Sequence, residues 1–247
     1  MSKNAVIEVR GLDAAYGEHQ ILSDVNVDIP ANQVTVILGT SGCGKTTLLR
    51  NILRLEPAKA GSVRYWGEEV LNMEEQDFYK ILLKTGVLFQ NGALINSIPV
   101  FDNIAIPLEQ HTKLSKSIIE KMVRVKLSLV HLDHAINLLP SELSGGMKKR
   151  AALARAIIMD PLILFCDEPS AGLDPQTSAT LDELLLDLKN QLKMTMLIVT
   201  HELASIHRIA DRIIFLDSGK LIFQGSLKEA KESNMPKVKT FFSAGKY

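Results

Sequence analysis

The segment GTSGCGKTT, residues 39–47, constrains the fold of this chain more than any other stretch. It follows the apolar run VTVIL at 34–38 and leads directly into LLRNIL. A glycine-rich turn between a buried strand and a helix is typical of α/β domains built on a parallel sheet. The order of strand, turn and helix therefore predicts the class of fold.

The same segment predicts a phosphate site. Its glycines let backbone N–H groups converge on phosphate oxygens, and the start of the following helix adds a favourable field. We expect Lys45 to reach the β- and γ-phosphates of a nucleotide and Thr46 to hold Mg²⁺. The residues predicted to contact the phosphates are Gly39, Thr40, Ser41, Gly42, Cys43, Gly44, Lys45, Thr46 and Thr47. The alternative is a glycine-rich turn that carries a surface lysine.

Two carboxylates follow a second apolar run, LILFC, at the end of the segment LILFCDE. A buried strand that ends in two acids places charge where a sheet meets solvent. We expect Asp167 to bind Mg²⁺, directly or through water. Glu168 is then available as the general base that polarises an attacking water.

The rest of the chain supports an α/β fold. Residues 5–38 alternate between polar and apolar in short runs, which indicates strands with one wet face. MLIV at 196–199 is apolar throughout, like VTVIL and LILFC, as in strands of a mostly parallel sheet that is covered on both faces. IIFL and LIF flank DSGK, which indicates a hairpin.

A mainly helical segment is predicted at roughly 98–139. Ser117 and Glu120 fit a capping box at the start of one helix. The apolar residues that recur there at helical spacing are Ile118, Met122, Val125 and Leu129.

Composition excludes some classes of function. Lys and Arg together number 28, as do Asp and Glu, and a protein that binds nucleic acid usually has a basic excess. No apolar run approaches the roughly 18 residues of a membrane span, and MSKNAVIEVR lacks the apolar stretch of a secretory signal. We therefore expect a cytoplasmic protein. Cys43 and Cys166 lack C-x-x-C spacing, which favours reduced, non-catalytic thiols.

Together these motifs resemble those of the ATPase subunit of an ATP-binding cassette (ABC) transporter. The resemblance covers essentially the whole chain. It is carried by the phosphate loop, Gln90 in VLFQN, LSGGM at 143–147, LFCDEP, SAGLDP at 170–175 and His201 in IVTHE.

The resemblance implies an α/β fold of the P-loop NTPase type over residues 1–247. A RecA-like core would carry an antiparallel β subdomain and a helical subdomain inserted at 91–143. A C-terminal tail would occupy 232–247.

The resemblance also implies roles for single residues. Tyr16 would stack on adenine, although it is also compatible with an ordinary strand aromatic. Gln90 would sense Mg²⁺ and the γ-phosphate of ATP, and His201 would contact the γ-phosphate. Asp174 would belong to a loop that crosses the interface of a dimer. The predicted catalytic set is Glu168, His201 and Lys45, and the predicted metal ligands are Thr46, Gln90 and Asp167.

Two copies of such a subunit would pair head to tail. Each ATP would lie between the phosphate loop of one copy and Ser144, Gly145 and Gly146 of the other. The cations of SELSGGMKKR would then stand in the field of that anion. For Lys148 and Lys149 the alternative is a position in water.

Met147, together with residues 89–112, makes the chain most similar to the ATPases of Mla-type, MCE-associated systems. Those systems move phospholipids between the inner and outer membranes of Gram-negative bacteria. The similarity implies a second copy, an integral membrane permease and an MCE-type lipid-binding protein as partners, and no nucleic acid. It also implies a peripheral location on the cytoplasmic face of the inner membrane.

Two other functions stay open, namely uptake of polar solutes and a soluble ABC ATPase that acts on a protein assembly. The apolar segment 92–108 is interpreted as part of a groove for the permease or as core of the helical subdomain. The tail segment NMPKVKTFF is interpreted as a contact to the partner copy, a frayed end or ordinary packing.

Overall fold

The computed structural model describes residues 5–243 of the chain. Contacts within the chain divide it into two units. The first unit joins the N-terminal part, up to Ile81, to the C-terminal part, from Thr195 onwards, and the second is Leu82–Met194. Among the helices of residues 5–243, none combines the length and the hydropathy of a membrane span.

Residues 5–243 contain short runs of strands and short runs of helices. In chain order the strands are β1 (Ala5–Tyr16), β2 (His19–Pro30), β3 (Val34–Gly39), β4 (Ala60–Tyr65), β5 (Glu68–Glu69), β6 (Thr85–Leu88), β7 (Ile163–Asp167), β8 (Thr195–Val199), β9 (Arg212–Asp217) and β10 (Lys220–Ser226). The helices are α1 (Lys45–Ile52), α2 (Glu75–Leu82), α3 (Val100–His111), α4 (Lys116–Leu129), α5 (Gly145–Ala156), α6 (Pro175–Leu192), α7 (Leu203–Ile209), α8 (Leu227–Lys231) and α9 (Pro236–Ser243).

The first unit contains an antiparallel sheet in the order β2-β1-β4-β5. Val9 in β1 lies opposite Val27 in β2 and Val63 in β4, and all three side chains are buried. Because successive residues of a strand point to opposite faces, the alternation over β1 and β2 places one face of this sheet in the core, whereas residues 34–38 belong to β3 and do not alternate. The predicted antiparallel sheet is confirmed.

A second sheet of the first unit has the order β10-β9-β3-β8. β3 runs parallel to both β8 and β9, and β9 and β10 form the predicted hairpin. Every residue of β3 and of β8 is buried. Because parallel strands end at the same edge of a sheet, the residues that follow β3 and β8 share that edge.

The second unit pairs β6 and β7 in parallel, with Leu88 opposite Cys166. α3, α4 and α5 pack together, and α5 also packs on β6 and α6. A methyl group on Gly86 in β6 would lie 2.2 Å from the carbonyl oxygen of Ala156, which explains a glycine where β6 meets α5. The carboxyl ends of β6 and β7 lead into Gln90 and into Glu168.

The capping box predicted at Ser117 and Glu120 is wrong. α4 begins at Lys116, and the residue before it, Ser115, is the N-cap. Ser117 therefore lies inside the first turn. Glu120 instead accepts a hydrogen bond from Arg124 one turn later, at 2.8 Å.

The apolar stripe Ile118, Met122, Val125 and Leu129 is also not the core face of α4. The buried residues of α4 are Ile119, Val123, Lys126 and Leu127. Ile118 and Val125 are instead exposed, because the packing of α3 and α5 selects the other of two apolar faces.

Candidate functional site

The glycine-rich loop turns directly from β3 into α1. Gly44 caps α1 with a φ of 100°, a backbone conformation that only glycine adopts without strain. A methyl group on Gly44 would lie 2.6 Å from a methyl of Leu22. A methyl group on Gly39 would lie 2.0 Å from the carbonyl oxygen of Leu216 in β9. Both ends of the loop therefore require glycine.

The ammonium group of Lys45 lies over this loop. Its Nζ donates to the carbonyl oxygens of Gly39 and Thr40, both at 3.0 Å. Thr46 is half-buried, and Ser41 and Gly42 are exposed. The first turn of α1, residues 45–48, is without a carboxylate, so its N–H groups and Lys45 together make the start of this helix positive.

The two cysteines are buried and free. Burial raises the pKa of the Cys43 thiol, with nearby Lys45 acting in the opposite direction. Burial raises the pKa of Cys166 to about 12. Since the thiolate is the reactive form, both side chains act as packing groups at neutral pH. The carbonyl of Cys43 also accepts a hydrogen bond of 3.2 Å from Gly219, which ties the loop to the β9–β10 hairpin.

Tyr16 stands at the end of β1 with its side chain 52% exposed. Its hydroxyl donates to Glu56 at 2.5 Å, and Arg50 in α1 donates to the other oxygen of Glu56 at 2.8 Å. Burial raises the pKa of Glu56, but the hydrogen bonds from Tyr16 and Arg50 outweigh it and lower the pKa overall. These hydrogen bonds connect Tyr16, whose ring is exposed, to α1 through Glu56.

His201 follows β8 and is exposed. The buried residue before it, Thr200, donates its backbone N–H to the carbonyl of Ile37 in β3 at 3.3 Å. The hydroxyl of Thr200 accepts a hydrogen bond of 3.1 Å from the N–H of Glu202. The first unit therefore brings His201 and Gly39 to the same edge of its sheet.

The second unit brings Gln90, Asp167 and Glu168 to the carboxyl ends of β6 and β7. Gln90 is exposed, and both acids are half-buried. Glu168 has a φ of 48°, in the left-handed region that a non-glycine residue adopts only at a cost. Its carbonyl accepts a hydrogen bond of 3.2 Å from the N–H of Ala171.

Ser144 caps α5, and its hydroxyl accepts a hydrogen bond of 3.3 Å from the N–H of Met147. Ser144 and Gly145 are exposed. A methyl group on Gly146 would lie 2.7 Å from a methyl of Thr177, which explains the second glycine. The turn thus presents a hydroxyl and the unpaired N–H groups of a helix start to solvent.

The two lysines of α5 differ in solvent exposure. Lys148 is exposed, whereas Lys149 is buried within the second unit. Nζ of Lys149 donates to the carbonyl oxygen of Gln90 and, at 3.3 Å, to that of Glu168. The interpretation that Lys149 points into water is therefore wrong, while its place in the field of a partner's anion stays a prediction.

Asp174 caps α6. It accepts hydrogen bonds from the N–H groups of Gln176 and Thr177, both at 3.0 Å, and from the hydroxyl of Thr177. These hydrogen bonds, led by that of the Thr177 hydroxyl, lower the pKa of Asp174. The motif SAGLDP therefore also serves to start α6.

Sequence reasoning missed two residues that orient the predicted site, Glu56 and Lys149. Glu56 lies in a loop whose sequence has no motif, so nothing indicated its contact with Tyr16. Lys149 could have been found, since it lies four residues before the buried Leu153 and hence on the same helical face.

Comparison with known proteins places the chain in a family. The family model described as ABC transporter matches residues 22–171. The "probable ribonucleotide transport ATP-binding protein mkl" of Mycobacterium leprae is 40% identical over 98% of this chain and 70% of the relative. The "intermembrane phospholipid transport system ATP-binding protein MlaF" of Escherichia coli K12 is 36% identical over 96% of this chain and 88% of the relative. The chain spans 66 to 70% of the length of the mycobacterial relatives.

Comparison with solved structures indicates the same family. CbiO1 of Clostridium perfringens, part of an ABC transporter complex, has a TM-score of 0.84 at 26% identity and covers 98% of this chain and 99% of its own. The dimeric bacterial ABC transporter cassette MJ0796 has a TM-score of 0.82 at 29% identity over 90% of this chain and 98% of its own. The same cassette is also known as a dimer bound to ADP and Pi. This chain therefore belongs to the ABC transporter family, as an ATP-hydrolysing subunit of a transporter.

Proposed function

We propose that this chain hydrolyses ATP to power transport of phospholipid between bacterial membranes through a separate permease. The observation that carries the proposal is the 36% identity to the E. coli phospholipid-transport ATPase, which extends over 96% of this chain and 88% of that protein. Such coverage includes the segment at 89–112 and Met147, the two features that favour this cargo in the sequence.

The nucleotide would be held mainly by the loop that follows β3. The loop 39–47 and Lys45 would bind the phosphates, and the exposed ring of Tyr16 would stack on adenine. Two features support a phosphate at the loop. Its glycines place no side chain over the backbone N–H groups, and no carboxylate lies in the first turn of α1. Ser144, Gly145 and Gly146 would contact the γ-phosphate of an ATP that a second copy holds.

Magnesium would be held by the hydroxyl of Thr46, the carboxylate of Asp167 and the amide oxygen of Gln90. These are the hard oxygen donors that Mg²⁺ prefers, and a nucleotide-bound Mg²⁺ needs few protein ligands. Bound Mg²⁺ neutralises charge on the phosphates. Glu168 would accept the proton of the attacking water, and His201 would contact the γ-phosphate.

The partners follow from this function. We propose a head-to-tail pair of copies, which the dimeric state of the solved cassettes supports. An integral membrane permease would receive the pair at the cytoplasmic face of the inner membrane, and an MCE-type protein would carry the lipid. The chain would be a peripheral subunit of this assembly.

A second candidate is transport of ribonucleotides. It is favoured by the 40% identity to the mycobacterial relatives whose name states that cargo. Both candidates use the same ATPase, because the cargo passes through the permease and leaves no direct mark on the chain that hydrolyses ATP.

The test is purification of the tagged full chain from membranes of its native host, followed by reconstitution of the purified assembly into liposomes. We expect a multi-span permease and phospholipid to co-purify, and ATP to drive movement of a fluorescent phospholipid. The same assembly carrying Glu168→Gln is the matched control and should move none. Movement of labelled ribonucleotide without phospholipid would support the second candidate, and the absence of any permease would contradict both.

A further inference from the structure

Lys149 is a charged side chain in an unusual place. It lies in the second turn of α5, yet only 7% of its surface is exposed. Its ammonium group donates to the backbone oxygens of Gln90 and Glu168, both in its own unit. A buried ammonium group loses hydration and is tolerated only when such acceptors replace the lost water.

α5 holds the segment after β6 at a second point. Arg155 donates to the carbonyl oxygens of Gly92 and Ala93, both at 2.7 Å. A methyl group on Gly92 would lie 3.2 Å from the methyl of Ala152, so the segment lies close against α5. Two cations of one helix therefore fix residues 90–93 by their carbonyl groups.

The contact with Glu168 stabilises a strained backbone. A non-glycine residue with a φ of 48° persists only where the surrounding structure holds it. The carbonyl of Glu168 receives hydrogen bonds from Lys149 and from the N–H of Ala171. Because this peptide sets the direction of the Glu168 side chain, loss of the Lys149 contact would let the carboxylate turn away.

We propose that Lys149 is a positioning residue for ATP hydrolysis, which fixes Glu168 and Gln90 through their backbone carbonyls to the helix that Ser144 caps. The proposal rests on the role of Glu168 as general base and not on the nature of the cargo. The first turns of α5 would then have two roles. The exposed cap Ser144 would contact the γ-phosphate of a second copy, and the buried Lys149 would position Glu168.

Three variants of the full-length chain test this role through steady-state ATPase kinetics with Mg²⁺. Lys149→Met keeps the length of the side chain and removes its charge, and Lys149→Arg keeps a cationic donor. Lys126→Met is the matched control, since Lys126 is also buried in the second unit, at 5% exposure, but pairs with Asp160, which is not a predicted site residue. Thermal unfolding of each variant reports its stability.

We expect Lys149→Met to lower kcat about 10- to 100-fold, as small misplacements of a catalytic group do. KM for ATP should change less than about threefold, since ground-state binding is untouched. Lys149→Arg should recover most of kcat. Lys126→Met should lower the unfolding temperature but keep kcat. If Lys149→Met does not fold, Lys149→Gln replaces it, with a kcat below that of Lys149→Arg.

The decisive comparison is with Glu168→Gln, which alone tests the assignment of the base. If Lys149 acts through Glu168, adding Lys149→Met to Glu168→Gln should lower kcat less than about twofold further, because residues that act as a unit are not additive. Additive losses, a wild-type kcat in Lys149→Met, or an equal loss of kcat in Lys126→Met would overturn the proposal. Normal turnover in Glu168→Gln would instead remove Glu168 as the base.

Discussion

Two glycines of the loop 39–47 show how single backbone positions determine this site. Gly39 and Gly42 both have a positive φ, 150° and 76° respectively. A methyl group on Gly39 would collide with the carbonyl of Leu216, whereas one on Gly42 would meet nothing within 4 Å. The first glycine is therefore required by packing and backbone together, and the second by its backbone alone.

This difference predicts that Gly39→Ala is much less stable than Gly42→Ala. Both variants carry backbone strain, but only Gly39→Ala must also push β3 away from β9. We expect an additional loss of about 2 kcal/mol or more in the free energy of unfolding, as for other steric conflicts in a core. Urea denaturation without nucleotide measures it, and equal losses in the two variants would contradict the geometry of the loop.

For single residues, the sequence predicts which side chains form the site better than it predicts the contacts that these side chains make. The motifs were sufficient to propose Lys45, Asp167 and Glu168, since each follows an apolar strand. They could not reveal the left-handed backbone of Glu168, which depends on contacts with residues distant in sequence. The burial of Lys149 was indicated only by its spacing to the apolar Leu153, and a lysine near the start of a helix is usually solvated.

At the scale of elements, the helices of the second unit show where periodicity fails. α4 carries apolar residues on two faces, and 3.6-residue spacing alone does not decide which face is buried. In the segment 92–108, Val100, Ile104 and Leu108 are core, while Ile95 is 46% exposed. Part of that segment thus packs within its own unit, and the proposed contact with a permease depends on the exposed remainder.

The C-terminal helix α9 packs on its own chain. Phe241 meets Phe215 of β9 edge to face at 5.6 Å, and Phe242 meets the ring of His207 at 5.8 Å. Lys237 forms an ion pair with Asp217. This is ordinary packing, one of the alternatives for the tail, and a frayed end is excluded for residues 236–243. Residues 244–247, the rest of the predicted tail, lie outside the described residues.

Truncation after Ser233 should therefore destabilise the isolated subunit. Val238 and Phe242 are buried, and loss of their contacts and of Phe241 should lower the free energy of unfolding by about 2–4 kcal/mol. Chemical denaturation of the truncated and full chains checks this. Unchanged stability together with weaker dimerisation would show that the tail binds the second copy instead.

At the scale of the molecule, the sequence predicts architecture well and boundaries less well. The buried runs of β3, β7 and β8 and the alternation of β1 and β2 are strong local patterns, which is why the α/β class was predictable. α2 was not predicted, because its eight residues bury only Phe78 and Ile81. The limits 91–143 for a helical subdomain stay a prediction, since the second unit extends from 82 to 194.

The predicted site residues are distributed over both units, with the loop 39–47, Tyr16 and His201 in the first and Gln90, Ser144, Asp167 and Glu168 in the second. The serine cap at the start of α5 is exposed, and its hydroxyl accepts the N–H of Met147. We propose that this cap completes the ATP site of a second copy.

The most direct test is the mass of Glu168→Gln in ATP and Mg²⁺, measured by light scattering after gel filtration. Slow hydrolysis should preserve the bound ATP, so we expect twice the 27.3 kDa of one chain. Adding Ser144→Arg should return the mass to that of a single chain while ATP binding to the monomer persists. A dimer that forms equally well with Ser144→Arg, or a Glu168→Gln chain that stays monomeric with ATP, would contradict the claim.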